Sequence, residues 1–200
     1  MKYILLFIIL ISLNFAELFS QKIFTPYTEI GGKVGMSPYT NTFFVDSINP
    51  VLFNSTLIGI RFLHVEQKHG GVIFEINYNK AFATIDNNTY TYDYIQTPLM
   101  THVYIPIKEA SVAINIGSYL QFITDKRGSR LLIERDLMFG LAGGLSLSVP
   151  IKRISFTLEG RYNHNLFPNS RNDYSKMSNW LELSVAVSYR TKWHNRETDN

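Results

Sequence analysis

The 200-residue sequence has no cysteine, which removes disulfides, thiolate metal sites and thiol nucleophiles and suits an oxidising envelope compartment. Charge is also scarce. Asp, Glu, Lys and Arg make up 18% of the chain, and the formal net charge of +3 is dispersed rather than gathered on one stretch. A nucleic-acid footprint needs a basic stripe, so no nucleic-acid partner is expected. After the first residues no apolar run is long enough to cross a membrane as a helix. The GxSxG elbow, the phosphate-binding glycine loop and metal-ligand spacings are absent, and the glycines of Gly140–Gly144 make no dinucleotide fingerprint. No cofactor and no metal are expected. Asp46, Asp86, Asp125, Asp136 and Asp173 are scattered over different connections, and their spacing gives a calcium site no support.

Apolar and aromatic side chains are abundant: 46% of residues are hydrophobic, with 12 Tyr and 14 Phe, so a large apolar surface must be placed somewhere. The N-terminus reads as a secretory signal peptide, with Met1-Lys2 as the basic start, Tyr3–Phe15 as the apolar run and Ala16 or Ser20 as the small residue before a cut. The expected organisation is residues 1–20 as signal peptide and residues 21–200 as a single domain. Nothing in the middle of the chain resembles a linker.

The segment Tyr92–Lys126 sets the pattern for the rest. It reads as two long strands joined at Pro106–Glu109, each with one apolar parity and one mixed or polar parity. In the second strand Val112, Ile114, Ile116, Leu120 and Phe122 oppose Ala113, Asn115, Gly117, Tyr119 and Gln121. In the first, Ile95, Thr97, Leu99 and Val103 oppose Gln96 and Pro98. Strands of the same kind are expected at about Thr28–Ser37, Ser55–Val65 and Gly70–Thr84. Three more follow at about Arg135–Val149, after the Pro150–Lys152 turn, and at Leu181–Tyr189.

The expected links alternate in length: Pro38–Asn54 long, Glu66–His69 short, Ile85–Tyr90 long, Pro106–Glu109 short, Asp125–Glu134 long, Pro150–Lys152 short, His164–Asn179 long. Outer-membrane barrels have short periplasmic turns and longer external loops. Strands of about 10 residues, rising about 3.3 Å each and tilted near 40°, cover an apolar band of about 25 Å. The expected fold is therefore all-β, an eight-stranded antiparallel up-and-down transmembrane barrel with both termini periplasmic. A soluble secreted β-barrel is its rival. Tyr27, Tyr39, Tyr78, Phe82, Tyr104, Phe122, Tyr162, Trp180, Tyr189 and Trp193 are expected to supply interfacial girdles.

Four stretches carry a family resemblance: Glu29–Gly35, Tyr94–Met100, Ile116–Leu120 and Asp136–Gly144. With them the mature chain resembles the PorT-like outer-membrane β-barrel proteins of Bacteroidetes, whose namesake is associated with type nine secretion and gliding. The resemblance implies an outer-membrane barrel with envelope or secretion-related work. One departure is the polar tail His194–Asn200 beyond Trp193, where many outer-membrane barrels end on an aromatic residue.

The candidate site is a set of charged residues on the less apolar parity: Lys33, Arg61, Arg161 and Arg190 against Glu29, Glu75, Glu159 and Glu182. The two signs balance, as an ion-pair network filling a narrow lumen requires, because buried charges are tolerated only when paired. The expected protein is non-enzymatic. Its expected partners are outer-membrane lipid, the barrel assembly machinery and an envelope protein met through external loops, which contain Phe43, Phe44, Val45, Leu166 and Phe167 beside Arg171, Asp173 and Lys176. The alternatives are a narrow porin-like channel and a lipid-modifying barrel enzyme. For the latter, His164 with Ser170 and Asp173 can be drawn as a triad, and the His-x-Ser-Asn element of a lipid A deacylase is absent after His164.

Overall fold

The computed structural model describes residues 25–41, 51–85, 88–127, 136–166 and 179–192. They form eight strands: β1 (Tyr27–Asn41), β2 (Val51–Gln67), β3 (Gly70–Ile85), β4 (Asn88–Ile107), β5 (Ala110–Arg127), β6 (Leu137–Ile151), β7 (Ile154–Asn165) and β8 (Asn179–Lys192). Each pairs antiparallel with the next in sequence, and β1 closes on β8 with Lys33 opposite Ala186, so the sheet is a closed up-and-down barrel without free edges. The expected signal peptide, Asp46, Asp86, Ser170, Asp173 and Trp193 lie outside the described residues.

Period-two alternation accounts for the form. On β5, Ala113, Asn115, Tyr119 and Gln121 are buried while Val112, Ile114, Ile116, Leu120 and Phe122 are exposed. On β8, Trp180, Glu182, Ser184, Ala186 and Ser188 point in, and Leu181, Leu183, Val185, Val187 and Tyr189 point out. The same inversion holds around the barrel: the buried set is rich in Asn, Gln, Ser, Glu and Arg, and the large apolar side chains on the exposed face are mostly Ile, Leu and Val, with Phe and Tyr. A soluble barrel has the opposite arrangement, since its apolar parity fills the core. Ile95, Thr97, Leu99 and Val103 lie on the outer parity of β4, and Gln96 and Pro98 lie on the inner one.

The links are tighter than the sequence suggests. Strand pairing runs to Ile107↔Ala110 and Ile151↔Ile154, so the turns shrink to Lys108-Glu109 and Lys152-Arg153, and Glu66 and Gln67 belong to β2, leaving Lys68-His69. The strict long-short alternation fails at one link. β3 and β4 pair out to Ile85↔Asn88 and leave only residues 86–87 between them, because Thr84, Thr89 and Tyr90 favour strand and extend the ladder. His164 likewise belongs to β7, opposite Asn179 of β8, rather than opening a loop.

The strands have 12 to 20 residues, more than a bilayer needs. At about 3.3 Å per residue and a tilt near 40°, the longest spans about 50 Å, twice the apolar band. The surplus lies at the end opposite the tight turns, where Asp93, Asp125 and Arg127 replace apolar residues and the β4–β5 register shifts at Asp93/Tyr94. Mid-strand, the β3–β4 register runs from Phe74↔Leu99 to Asn77↔Gln96 with a gap between, where Pro98 has no N–H to donate.

Closeness of neighbouring backbones explains one glycine in particular. A Cβ on Gly117 would lie 2.0 Å from the Leu99 carbonyl oxygen and 2.5 Å from Met100 Cα, both backbone atoms of β4 that cannot move aside. Gly117→Ala is therefore expected to destabilise the barrel by about 1–3 kcal/mol. The check is the denaturant midpoint of refolded barrel, followed by the mobility shift between folded and boiled samples; an unchanged midpoint contradicts the packing.

Candidate functional site

The inward parity of the strands brings charges from opposite walls together at mid-lumen. Lys33 of β1 places Nζ 2.9 Å from Glu75 Oε2 of β3 and 3.4 Å from Glu159 Oε2 of β7, donating a hydrogen bond to each. It also lies 2.8 Å from Glu182 Oε1 of β8, an ion pair whose angles fall short of a hydrogen bond. Arg161 of β7 reaches across to Glu75 with both terminal nitrogens, Nη1 to Oε2 at 2.9 Å and Nη2 to Oε1 at 3.0 Å, and donates to Glu159 at 2.9 Å. This forked geometry matches a planar guanidinium to a carboxylate and is the strongest ion pairing a side chain makes. Arg61 of β2 is the loosest member. Its Nε is 3.8 Å from Glu75 Oε1, and Nε and Nη2 make no hydrogen bond.

Polar neutral groups extend the cluster to the remaining strands. Asn77 donates to Glu75 at 3.0 Å. Asn115 of β5 donates to Glu159 at 2.8 Å and to Ser146 Oγ of β6 at 3.3 Å, while its carbonyl oxygen lies 2.7 Å from His102 Nδ1 of β4. Every strand thus contributes to one network. Its charged members are three cations, Lys33, Arg61 and Arg161, and three carboxylates, Glu75, Glu159 and Glu182, each with a side chain no more than 3% exposed.

The other two candidates, Glu29 and Arg190, are not part of that cluster. They pair near the tight-turn end, where Arg190 Nη2 and Nε donate to Glu29 Oε1 at 2.6 and 2.8 Å and the guanidinium sits 4.0 Å from the Tyr27 ring centroid. Towards the opposite end the lumen holds a group of buried aromatics. Tyr119 meets Trp180 edge-on at 5.4 Å and donates its hydroxyl to Asn165 Oδ1 at 2.6 Å, and Tyr92 stacks with Tyr94 at 5.6 Å. Between aromatics and charges, Gln96 faces Gln121 across β4–β5, and the amides of Gln96, Gln121 and Asn163 are buried without a hydrogen bond.

The girdle expectation divides. Tyr78, Phe82, Phe122, Tyr162 and Tyr189 are exposed on the outer face, whereas Trp180 and Tyr104 are buried inside, at 1% and 9% exposure, and Tyr27, on the parity of Glu29, packs inward under Arg190. Their parity already placed them there: Trp180 alternates with Leu181, and Tyr104 shares the parity of Gln96. The side chain of Tyr39 is outside the described residues. Sequence reasoning also missed His102 and Asn115 as network members, although both stand on the inward parity. His164, the histidine of the drawn triad, is exposed and pairs with Asn179 Oδ1. Among the described residues no three His, Asp or Glu side chains group as metal ligands.

Residues 19–171 match the family described as "Outer membrane protein beta-barrel domain". No curated protein matches the sequence. Among solved structures the chain is similar to the outer membrane protein OprG from Pseudomonas aeruginosa, with a TM-score of 0.57 and 11% identity over 84% of this chain and 96% of that one. It is also similar to the N-terminal β-barrel domain of OprF from Pseudomonas aeruginosa, at TM-score 0.51 and 12% identity over 82% and 97%. Neisserial surface protein A gives a TM-score of 0.51 and 10% identity over 84% and 97%. At these identities the likeness is one of fold alone.

Two stability results are expected from the network. Glu75→Ala removes the carboxylate that Lys33 and Arg161 share, leaves three buried cations against Glu159 and Glu182, and is expected to cost about 3–5 kcal/mol, as breaking one side of a buried pair does. Arg161→Met is expected to cost more than Arg61→Met, because Arg161 holds forked bonds and Arg61 none. Denaturant titration of the three purified barrels in one detergent checks both; an R61M loss equal to that of R161M contradicts the assigned geometry.

Proposed function

The chain belongs to the outer membrane protein beta-barrel domain family, and on that premise we propose that it is a closed, non-enzymatic outer-membrane barrel of the PorT-like type. The observation that carries this reading is the charge-balanced network to which all eight strands contribute. A lumen crossed by a forked ion pair between opposite walls holds those walls together, and among the described residues the network leaves no row of free charges to conduct an ion. The barrel then acts as a rigid anchor. Its loop-end segments, carried on strands that outrun the bilayer, meet an envelope or secretion-related protein.

The PorT-like assignment draws on the four stretches named above, which fall on β1, β4, β5 and the start of β6. In this reading residues 1–20 are a signal peptide and the barrel assembly machinery inserts the exported chain. The tight turns and both termini face the periplasm, as short turns do in barrels of this type. A narrow-channel reading has one observation in its favour, the unmade hydrogen bonds of Gln96, Gln121 and Asn163, which a file of water would complete.

Planar-bilayer recording separates the two. The wild-type barrel is expected to show no stable openings, and Arg161→Ala is expected to introduce them by removing the bridge between β7 and β3; steady wild-type conductance overturns the closed-lumen reading. The lipid A profile of cells lacking the protein is expected to match that of the parent by mass spectrometry, and a missing or altered acyl chain overturns the non-enzymatic assignment. Crosslinking in intact cells tests the anchor role, for which a reproducible envelope protein on the loop-end segments is the expected product and no product is the contrary one.

A further inference from the structure

The tight-turn end has a chemical signature that the lumen does not explain. All three tight turns begin with lysine, Lys68, Lys108 and Lys152, and the last is followed by Arg153. Two of the turns repeat a sequence, Pro106-Ile107-Lys108 and Pro150-Ile151-Lys152, at the same place relative to the strand ends. In both repeats the lysine has a left-handed backbone, with φ of 51° at Lys108 and 58° at Lys152; these are the only non-glycine positive φ values among the described residues. Glycine, asparagine or aspartate suits such a position better, so the turn geometry alone does not account for a lysine at both.

The surroundings of these cations are apolar and outward-facing. Ile105, Ile107, Ile151 and Ile154 flank the two turns at 66%, 53%, 57% and 45% exposure, so the apolar band of the barrel runs right up to the lysines. A cation that directly follows such a band sits where hydrocarbon gives way to phosphate, with its methylene stem along the apolar surface and its ammonium at the headgroup. Opposite charge at this rim is limited. Its exposed carboxylates among the described residues are Glu66 and Glu109, and Arg190 is already matched by Glu29. Arg153 is held by its hydrogen bond to the Tyr189 hydroxyl at 2.9 Å, a side chain that itself faces outward.

We propose that this rim is a binding surface for the headgroup phosphates of anionic phospholipids, with Lys108 and Lys152 of the repeated turns as its principal cations and Lys68 and Arg153 in support. The inference rests on the membrane placement of the barrel and goes beyond it by assigning a lipid class to one end. Anionic lipid draws basic side chains at a membrane surface, and four cations on three adjoining turns concentrate that attraction on one leaflet.

The test uses the full barrel purified in neutral detergent and mixed with equal amounts of phosphatidylglycerol and phosphatidylcholine, with retained lipid counted by native mass spectrometry. The wild-type protein is expected to retain phosphatidylglycerol in about threefold excess or more, and Lys108→Asn with Lys152→Asn to bring the ratio to about one. Asparagine tolerates the left-handed backbone, so the gel-mobility shift of the folded barrel is expected to persist in the variant. Equal retention of both lipids by the wild-type barrel, or an undiminished preference in the folded double variant, overturns the proposal. Vesicle insertion separates this failure from a deeper one: a barrel that does not enter phosphatidylcholine vesicles loses its membrane placement, while one that enters without preference loses only the headgroup site.

Discussion

The buried bond between Arg161 and Glu75 is the interaction on which the interior depends. It joins β7 to β3 across the lumen through residues 86 positions apart in sequence. Lys33 binds the same carboxylate from β1, and Glu159 and Glu182 complete the neutralisation from β7 and β8. Each of these side chains is buried from bulk solvent, so it is tolerated only while its partners are in place. Most of the partners meet only when the sheet has closed. The network therefore stabilises the complete barrel selectively over any partly paired sheet.

The lumen follows in tiers from that centre. Towards the tight turns, Glu29 and Arg190 form a separate pair against the Tyr27 ring and fasten the seam between β1 and β8. Towards the loop end, the rings of Tyr119, Trp180, Tyr92 and Tyr94 pack inside the barrel. Tyr119 has room because its ring occupies the place of a Cβ on Gly140, whose substituent would lie 2.2 Å from the hydroxyl. Small residues on one strand thus seat large ones from the next, as a narrow barrel requires. The outer face needs no such matching, since lipid chains conform to a rough surface of Ile, Leu, Val and Phe.

Much of this was legible along the chain, and the reason is the period of two. Once Val112, Ile114 and Ile116 are separated from Ala113 and Asn115, both faces of β5 are assigned, and closure into a barrel explains why the polar face is the buried one. The balanced set of eight charged residues followed from the same parity. Link lengths were less legible, because a strand does not stop where alternation becomes weak. The pairs Ile85↔Asn88 and Ile107↔Ala110 carry the ladder through residues that read locally as turn. Tyr27, Tyr104 and Trp180 do not reach the interface because their position in the alternation outweighs their aromatic character.

What the sequence by itself determined is the two-faced character of every strand and the equality of charge on the less apolar parity, because side chains alternate strictly along extended backbone. What only the tertiary structure decided is which parity faces the lumen and who meets whom there. Parity places Glu75 and Arg161 on the same face of the sheet but does not say that they touch, or that Arg190 turns to Glu29 and leaves Arg61 loosely held. Those contacts depend on the stagger between neighbouring strands accumulated around a closed ring, a quantity that no local pattern of residues records.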